Sequence, residues 1–266
     1  MSKSRHALQR SIEAGFRYRR LSRDRRVRMV QALDVLRPYN CAHSLIRIGP
    51  EADGGYLLPD CLQGIAASFS PGVSFEFGFD LDLLARGIPV HMADASVDLP
   101  KNLPDGASFE PLFLGPKTHD QWITLQDWVS ARAPADGDLM LQMDIEGHEY
   151  DVLTAAPRDL LARFRIMVIE FHHLHRFPRA ADFDRFEAAL QALSDDFVCV
   201  HLHPNNVVHP VRVGPHRIPP FFEATLLRRD YATDLRPNES FPHHLDRPCA
   251  PDHPDVAMGV FWSGTP

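Results

Sequence analysis

Cysteine is scarce in this 266-residue chain: Cys41, Cys61, Cys199 and Cys249 lie far apart and form no C-x-x-C pair. Such spacing supports neither a zinc knuckle nor a disulfide framework, and it fits a reducing compartment, read here as cytoplasmic. Long apolar runs are missing too. No stretch of about 18 apolar residues occurs, and the basic start is not followed by the apolar segment of a signal peptide. A soluble protein without a transmembrane segment is expected. There is no G-x-G-x-x-G loop, which disfavours a dinucleotide pyrophosphate site and with it an α/β oxidoreductase. Internal repeats and low-complexity linkers are absent as well.

What is present is enough apolar material, 44% of residues, for one sizeable core. Charge is unevenly placed. Residues 1–28 carry ten Lys/Arg against Glu13 and Asp24, a local +8 that leaves −15 on the remainder of a chain of net charge −7. The acidic remainder argues against nucleic acid as main partner, since phosphate neutralisation needs a basic surface at the site. Leu8, Ile12, Phe16, Leu21, Val27, Val30 and Leu33 recur at helical spacing. They predict an amphipathic helical extension over residues 1–40 whose apolar stripe packs on the body. Its basic face is then open to solvent, a homo-oligomeric contact or another partner.

From residue 41 to 266 a single domain is expected. Ser44–Ile48 reads as a strand followed by a Gly/Asp loop, and alternation begins after it. Strands are predicted at Ile65–Ser70, Val90–Ala93, Leu139–Met143, Ile166–Phe171, Val198–Leu202 and Phe222–Leu227. Helices are predicted at Phe75–Arg86, Trp122–Arg132, Glu149–Leu153 and Phe183–Leu193. This is an α/β pattern, a Rossmann-like and mostly parallel sheet with helices on both faces. Eleven of the 23 prolines fall in residues 204–266, so the C-terminal part is expected to be loop-rich.

In open parallel sheets ligands bind beyond the carboxyl ends of the strands. Gly72 follows the first strand of a βαβ unit and lets a nucleotide edge approach the backbone. Asp94 ends the next strand, some twenty residues on, where a carboxylate would accept from ribose hydroxyls. Asp144 directly follows another strand. A carboxylate there can hold a metal, a substrate hydroxyl or a cofactor amine, or serve as a helix cap.

The segment from Gln142 to Leu153, QMDIEGHEYDVL, strongly resembles the K-x-D-x-E-G-x-E-x-x-V-L signature of the FkbM-type methyltransferases, with Gln142 in place of Lys. Further stretches fit that family in order: Arg47-Ile48-Gly49 with Asp53-Gly54-Gly55-Tyr56, Gly72 with Ser74-Phe75-Glu76, and Val90 to Asp94. Ile169 to His173, His203 to Asn206, and Glu223-Ala224-Thr225 follow. The resemblance spans roughly residues 44–260. It implies a methyltransferase fold and S-adenosylmethionine as cofactor, with Asp53, Gly54, Tyr56, Gly72, Ser74, Glu76 and Asp94 on the cofactor side. It also implies transfer to an oxygen of a sugar, glycan or other polyhydroxylated small molecule.

A hydroxyl acceptor needs a base or an acidifying metal near neutral pH. Asp144, Glu170 and His173 are the catalytic candidates, His173 being the first choice of base and His201 and His203 the alternatives. Asp144, Glu170 and His172 form a plausible ligand set for Mg²⁺ or Mn²⁺. The competing reading is a hydrogen-bonded network around substrate or core. At the level of the whole protein, the rival to an enzyme is a binding or scaffolding protein that keeps the fold without turnover.

Overall fold

The computed structural model describes residues 2–75, 77–98, 103–238 and 242–256, with side chains from residue 8 onward. Two helices open the chain, α1 (Ser2–Arg20) and α2 (Arg23–Asp34). They are two because Ser22 leaves the helical region and its side chain accepts from Arg25 N at 3.2 Å, capping α2. The apolar stripe does not pack as its spacing predicts. Leu21 and Leu33 are buried, but Leu8, Ile12, Phe16, Val27 and Val30 are exposed, Leu8 and Ile12 each at 63%. The helices dock through Ala14, Met29, Ala32 and Leu36 instead. Tyr18 meets His216 edge-on at 6.2 Å, and Arg28 pairs with Glu187 of a later helix.

Strands and helices then alternate through β1 (Ile65–Pro71), α3 (Gly78–Ala85), β2 (Val90–Ala93), β3 (Ala107–Glu110), α4 (Leu125–Arg132) and β4 (Asp138–Met143). They continue through α5 (Glu149–Ala155), α6 (Arg158–Leu161), β5 (Phe164–His172), α7 (Ala180–Ser194), β6 (Phe197–Pro204) and β7 (Phe221–Arg228). The seven strands form one sheet in the order 3-2-1-4-5-7-6. Only β7 runs antiparallel to its neighbours. This is the doubly wound 3-2-1-4-5-6 order with an antiparallel strand inserted near one edge. The order of strands across the sheet reverses between β1 and β4, which pair in parallel.

Each face of the sheet has its own core. One gathers Phe69, Leu141, Met143 and Phe171 under Trp128 of α4, Tyr150 of α5 and Phe186 of α7. On the other, Met140, Ile166 and Val90 pack with Phe79 and Leu83 of α3 and with Ile48, Tyr56 and Leu58. Those last three residues belong to an antiparallel hairpin, Leu45–Ile48 with Tyr56–Pro59, so the strand expected at Ser44–Ile48 covers the sheet and is not part of it. Helices therefore cover one face, while α3 and this hairpin share the other. Trp122 is also not helical. It pairs with Phe113 in a two-residue ladder, and α4 starts after Thr124, whose hydroxyl accepts from Asp127 N at 3.0 Å. The loop-rich C-terminal part holds one further hairpin, Val211–Val213 with His216–Ile218. Among the described residues no helix is long and apolar enough to cross a membrane.

Candidate active site

The carboxyl ends of β1, β2 and β4 open into a cavity of about 650 Å³, within the range of small-molecule sites. It lies at the switch between β1 and β4, where an open parallel sheet leaves a crevice. Gly72, Val73, Ser74 and Asp80 line one wall, Ala93 and Asp94 another, and Gln142, Asp144 and Glu146 a third. Asp53, Gly54 and Tyr56 close it from the hairpin loop, and Phe113, Trp122 and His148 form an aromatic side.

Gly72 has a structural reason to be glycine before any ligand is considered. Its φ is +86°, and a Cβ there would stand 1.6 Å from the Asp144 carbonyl oxygen. Asp144 N in turn donates to Pro71 O at 3.2 Å, and Gly72 N to Ala93 O at 2.9 Å. The turn thus fixes the ends of β1, β2 and β4 against one another. Asp94 sits at the end of β2 with Oδ1 accepting from Ser96 N at 2.6 Å, which orients its carboxylate at the cavity rim.

Asp144 is the carboxylate that joins cavity and interior. Its side chain is partly open, yet Oδ1 is buried without a hydrogen-bond partner. Burial pushes its pKa up to about 6, against the pull of His172. The nearby Glu170 carboxyl is held well above the carboxylate range by burial and by the Asp144 charge. Glu170 also accepts from Asn205 Nδ2 at 3.3 Å. Two carboxyls this close disfavour ionisation of both at once.

His172 approaches the same pair with Nε2, 3.7 Å from Asp144 Oδ1 and 3.5 Å from Glu146 Oε2. Its Nδ1 is 2.9 Å from Glu149 Oε1. Burial lowers the His172 pKa, but the hydrogen bond and charge of Glu149 outweigh it and the net shift is upward. Glu149 is fully buried, and the same oxygen accepts from Ile145 N at 3.2 Å and Gly147 N at 3.0 Å. It thus fixes both the turn after β4 and the ring of His172. The turn is left-handed at Glu146 and Gly147, and Arg185 of α7 grips the Gly147 carbonyl and the Asp151 carboxylate.

His173 does not join this group. It is left-handed at φ +65°, its N donates to Pro220 O, and its ring lies tilted against Phe221 with centroids 5.4 Å apart, outside the cavity lining. Burial and the nearby Arg176 charge lower its pKa to about 4. At neutral pH it is a neutral and weak base. His201 is paired at 2.9 Å with the buried Asp246, and His203 lies between Glu223 and Asp255. Glu76 lies outside the described residues. Asp53 lines the cavity, and burial with the Glu223 charge raises its pKa. Tyr56 meets Gln142 across the cavity wall, with Nε2 of Gln142 donating to the Tyr56 hydroxyl at 3.2 Å.

Three cavity or site residues have no assigned role in the sequence reading. Glu149 is the last acidic position of the motif and carried the signal in its place there. Trp122 and Asp80 had none, since a Trp at the expected start of a helix and an Asp inside one read as ordinary amphipathic positions. Asp80 is buried, accepts from Ser70 Oγ at 2.6 Å, and is held up to about 7 by burial.

Residues 121–197 match the family model of the methyltransferase FkbM domain. The FkbM match runs from the aromatic wall to the start of β6, so it contains Asp144, Glu149, Glu170 and His172. Gly72 and Asp94 lie before it. The match suggests a methyltransferase, with which the doubly wound sheet is consistent, and methyltransferases generally use S-adenosylmethionine as donor. No curated protein matches the chain.

Proposed function

We propose that the chain is an S-adenosylmethionine-dependent O-methyltransferase acting on a hydroxyl of a polyhydroxylated small molecule or glycan. The observation that carries this reading is Asp144. Its carboxylate lines the switch-point cavity while one of its oxygens is buried on the His172 side without a hydrogen-bond partner, and the same cavity is lined by Asp94, placed to accept from ribose hydroxyls. The cavity volume, the Gly72 turn and Asp94 fit the nucleoside part of the cofactor, with Tyr56 and Asp53 on the hairpin side.

S-adenosylmethionine supplies an electrophilic methyl group when bound. The acceptor oxygen forms a bond to that carbon as the carbon–sulfur bond breaks, and the hydroxyl proton must leave. Asp144 takes that proton. Its pKa of about 6 makes it ionised at neutral pH yet a stronger base than an ordinary carboxylate. Protonated Glu170 and the His172 ring, fixed by Glu149, hold it in place. Trp122 and His148, 5.1 Å apart, offer an apolar face on which a sugar ring can lie.

A second reading has its own observation. Ligand atoms of Asp144, Glu170 and His172 fall within 4.8 Å of one another, and Glu149 on Nδ1 leaves Nε2 of His172 facing the group. These residues would hold Mg²⁺ or Mn²⁺, which would acidify the acceptor hydroxyl.

Labelled methyl transfer from S-adenosylmethionine to a panel of sugars and polyols tests the reading. Wild type should transfer and Asp144→Asn should lose about 10²-fold or more in kcat. Transfer by Asp144→Asn at the wild-type rate would refute Asp144 as the base. Loss of activity on chelation that Mg²⁺ or Mn²⁺ alone restores would establish the metal reading in its place.

A further inference from the structure

A second group of side chains lies beside the first, on the far side of β7. Glu223 of β7 stands directly opposite Glu170 of β5 and opposite His203 of β6 in the sheet register. Cys249 arrives from the loop-rich C-terminal part. Its Sγ lies 3.5 Å from Glu223 Oε1, and His203 Nδ1 lies 3.4 Å from Glu223 Oε2. Ligand atoms of all three fall within 4.8 Å of one another. Asp53, which lines the cavity, is near enough to Cys249 that each alters the other's proton affinity.

The 3.4 Å His203–Glu223 separation is long for a charge-assisted hydrogen bond, which runs at about 2.7–2.9 Å, while the 3.5 Å Cys249–Glu223 contact is ordinary for a thiol donor. They are the right length for something else. Bonds of about 2.0–2.3 Å to zinc imply ligand-to-ligand edges of about 3.3–3.8 Å in a tetrahedron. The 3.4 and 3.5 Å contacts fall on that edge. The outer contact agrees. Nε2 of His203 is 3.2 Å from both oxygens of Asp255, the carboxylate–histidine arrangement that orients a metal-bound ring. Charge points the same way, since the carboxylates of Glu223 and Asp255 both face the one imidazole of His203, and buried charges must be paired or bound to metal.

We infer that His203, Glu223 and Cys249 form a binding site for a single Zn²⁺ ion, with Asp53 or water in the fourth position. Thiolate, imidazole and carboxylate together suit zinc better than Mg²⁺ or Mn²⁺. The ion clips the C-terminal loop segment onto β6 and β7 next to the cavity rim. Binding replaces the Cys249 thiol proton and the His203 Nδ1 proton by the metal, and both protons leave to solvent.

The test uses the full chain, stripped of metal and titrated with Zn²⁺ and separately with Co²⁺. The expected result is one tightly bound Zn²⁺ per chain, proton release on binding, and a near-ultraviolet thiolate-to-cobalt charge-transfer band. Cys249→Ser should abolish the band and weaken zinc binding at least tenfold, and His203→Gln should weaken it likewise. Asp144→Asn should leave both unchanged, which separates this site from the Asp144 trio. Absence of the band in the wild-type chain needs no variant to interpret and would overturn the inference. So would zinc affinity unchanged by Cys249→Ser.

Discussion

At Asp80, burial beneath the cavity raises the carboxyl from its usual 3.8 to about 7. Because the folded pKa lies above the unfolded one, the protonated form favours the fold. Its contribution is complete below the unfolded value and is lost as pH rises through about 7. Asp80→Asn should therefore flatten this slope, so that the fall in urea midpoint between about pH 5 and about pH 8 is smaller than in wild type. Equal falls would show that Asp80 is ionised throughout. Asp144 has the same sign with a different consequence. As a base of pKa about 6, its loss of charge should lower kcat/KM about tenfold per pH unit below that value. A flat acid limb in a rate profile would place the proton elsewhere. Glu149→Gln removes the anionic partner of His172 and should lower kcat about 10- to 100-fold, with S-adenosylmethionine affinity retained.

Among the elements, the turn after β1 is the least tolerant of change. Gly72→Ala combines a positive φ with a Cβ inside the Asp144 carbonyl. It should cost at least about 2 kcal/mol in denaturant unfolding, because the ends of β1 and β4 must part to admit it. The strands of the sheet interior were readable from their apolar runs: β2 has the predicted bounds, and β1, β4, β5, β6 and β7 differ only at their ends. β3 was missed because Ala107–Glu110 is only half-buried at the sheet edge and shows no apolar run. Residues 45–48 show the limit of local pattern. Their apolar character is real, but only the partner strand Tyr56–Pro59 decides whether they extend the sheet or cover it. The cap at Thr124, not periodicity, decides where α4 begins.

Over the whole molecule, the mostly parallel sheet and the carboxylates Asp94, Asp144 and Glu170 at or near its strand ends were legible because topology sends every parallel strand end to one edge. The histidines were not sorted by sequence. Alternation puts Glu170 and His172 on one side, but the left-handed turn at His173 and the burial of His201 against Asp246 arise from long-range packing. The Cys249 cluster was invisible for the same reason, since its members are joined only by the register of β6 with β7 and a distant loop. The N-terminal stripe makes the opposite point. Helical spacing identified Leu8, Ile12 and Phe16 as one face, yet Ala14 and Tyr18 make the contact with the body. Replacing Leu8, Ile12 and Phe16 together with Ser should shift unfolding free energy by no more than about 0.5 kcal/mol per site. A larger loss would mean that this face is covered in solution.

The central claim is that the cavity between β1 and β4 holds S-adenosylmethionine through Asp94 and presents its methyl group toward Asp144. Calorimetric titration of S-adenosylmethionine into the wild-type chain, Asp94→Ala and Asp144→Asn tests it most directly. The account predicts saturable one-to-one binding by wild type and near-wild-type affinity for Asp144→Asn. It also predicts roughly tenfold or greater weakening for Asp94→Ala, from loss of a charged hydrogen-bond acceptor. No binding by the folded wild-type chain, or equal affinity for wild type and Asp94→Ala, would contradict it.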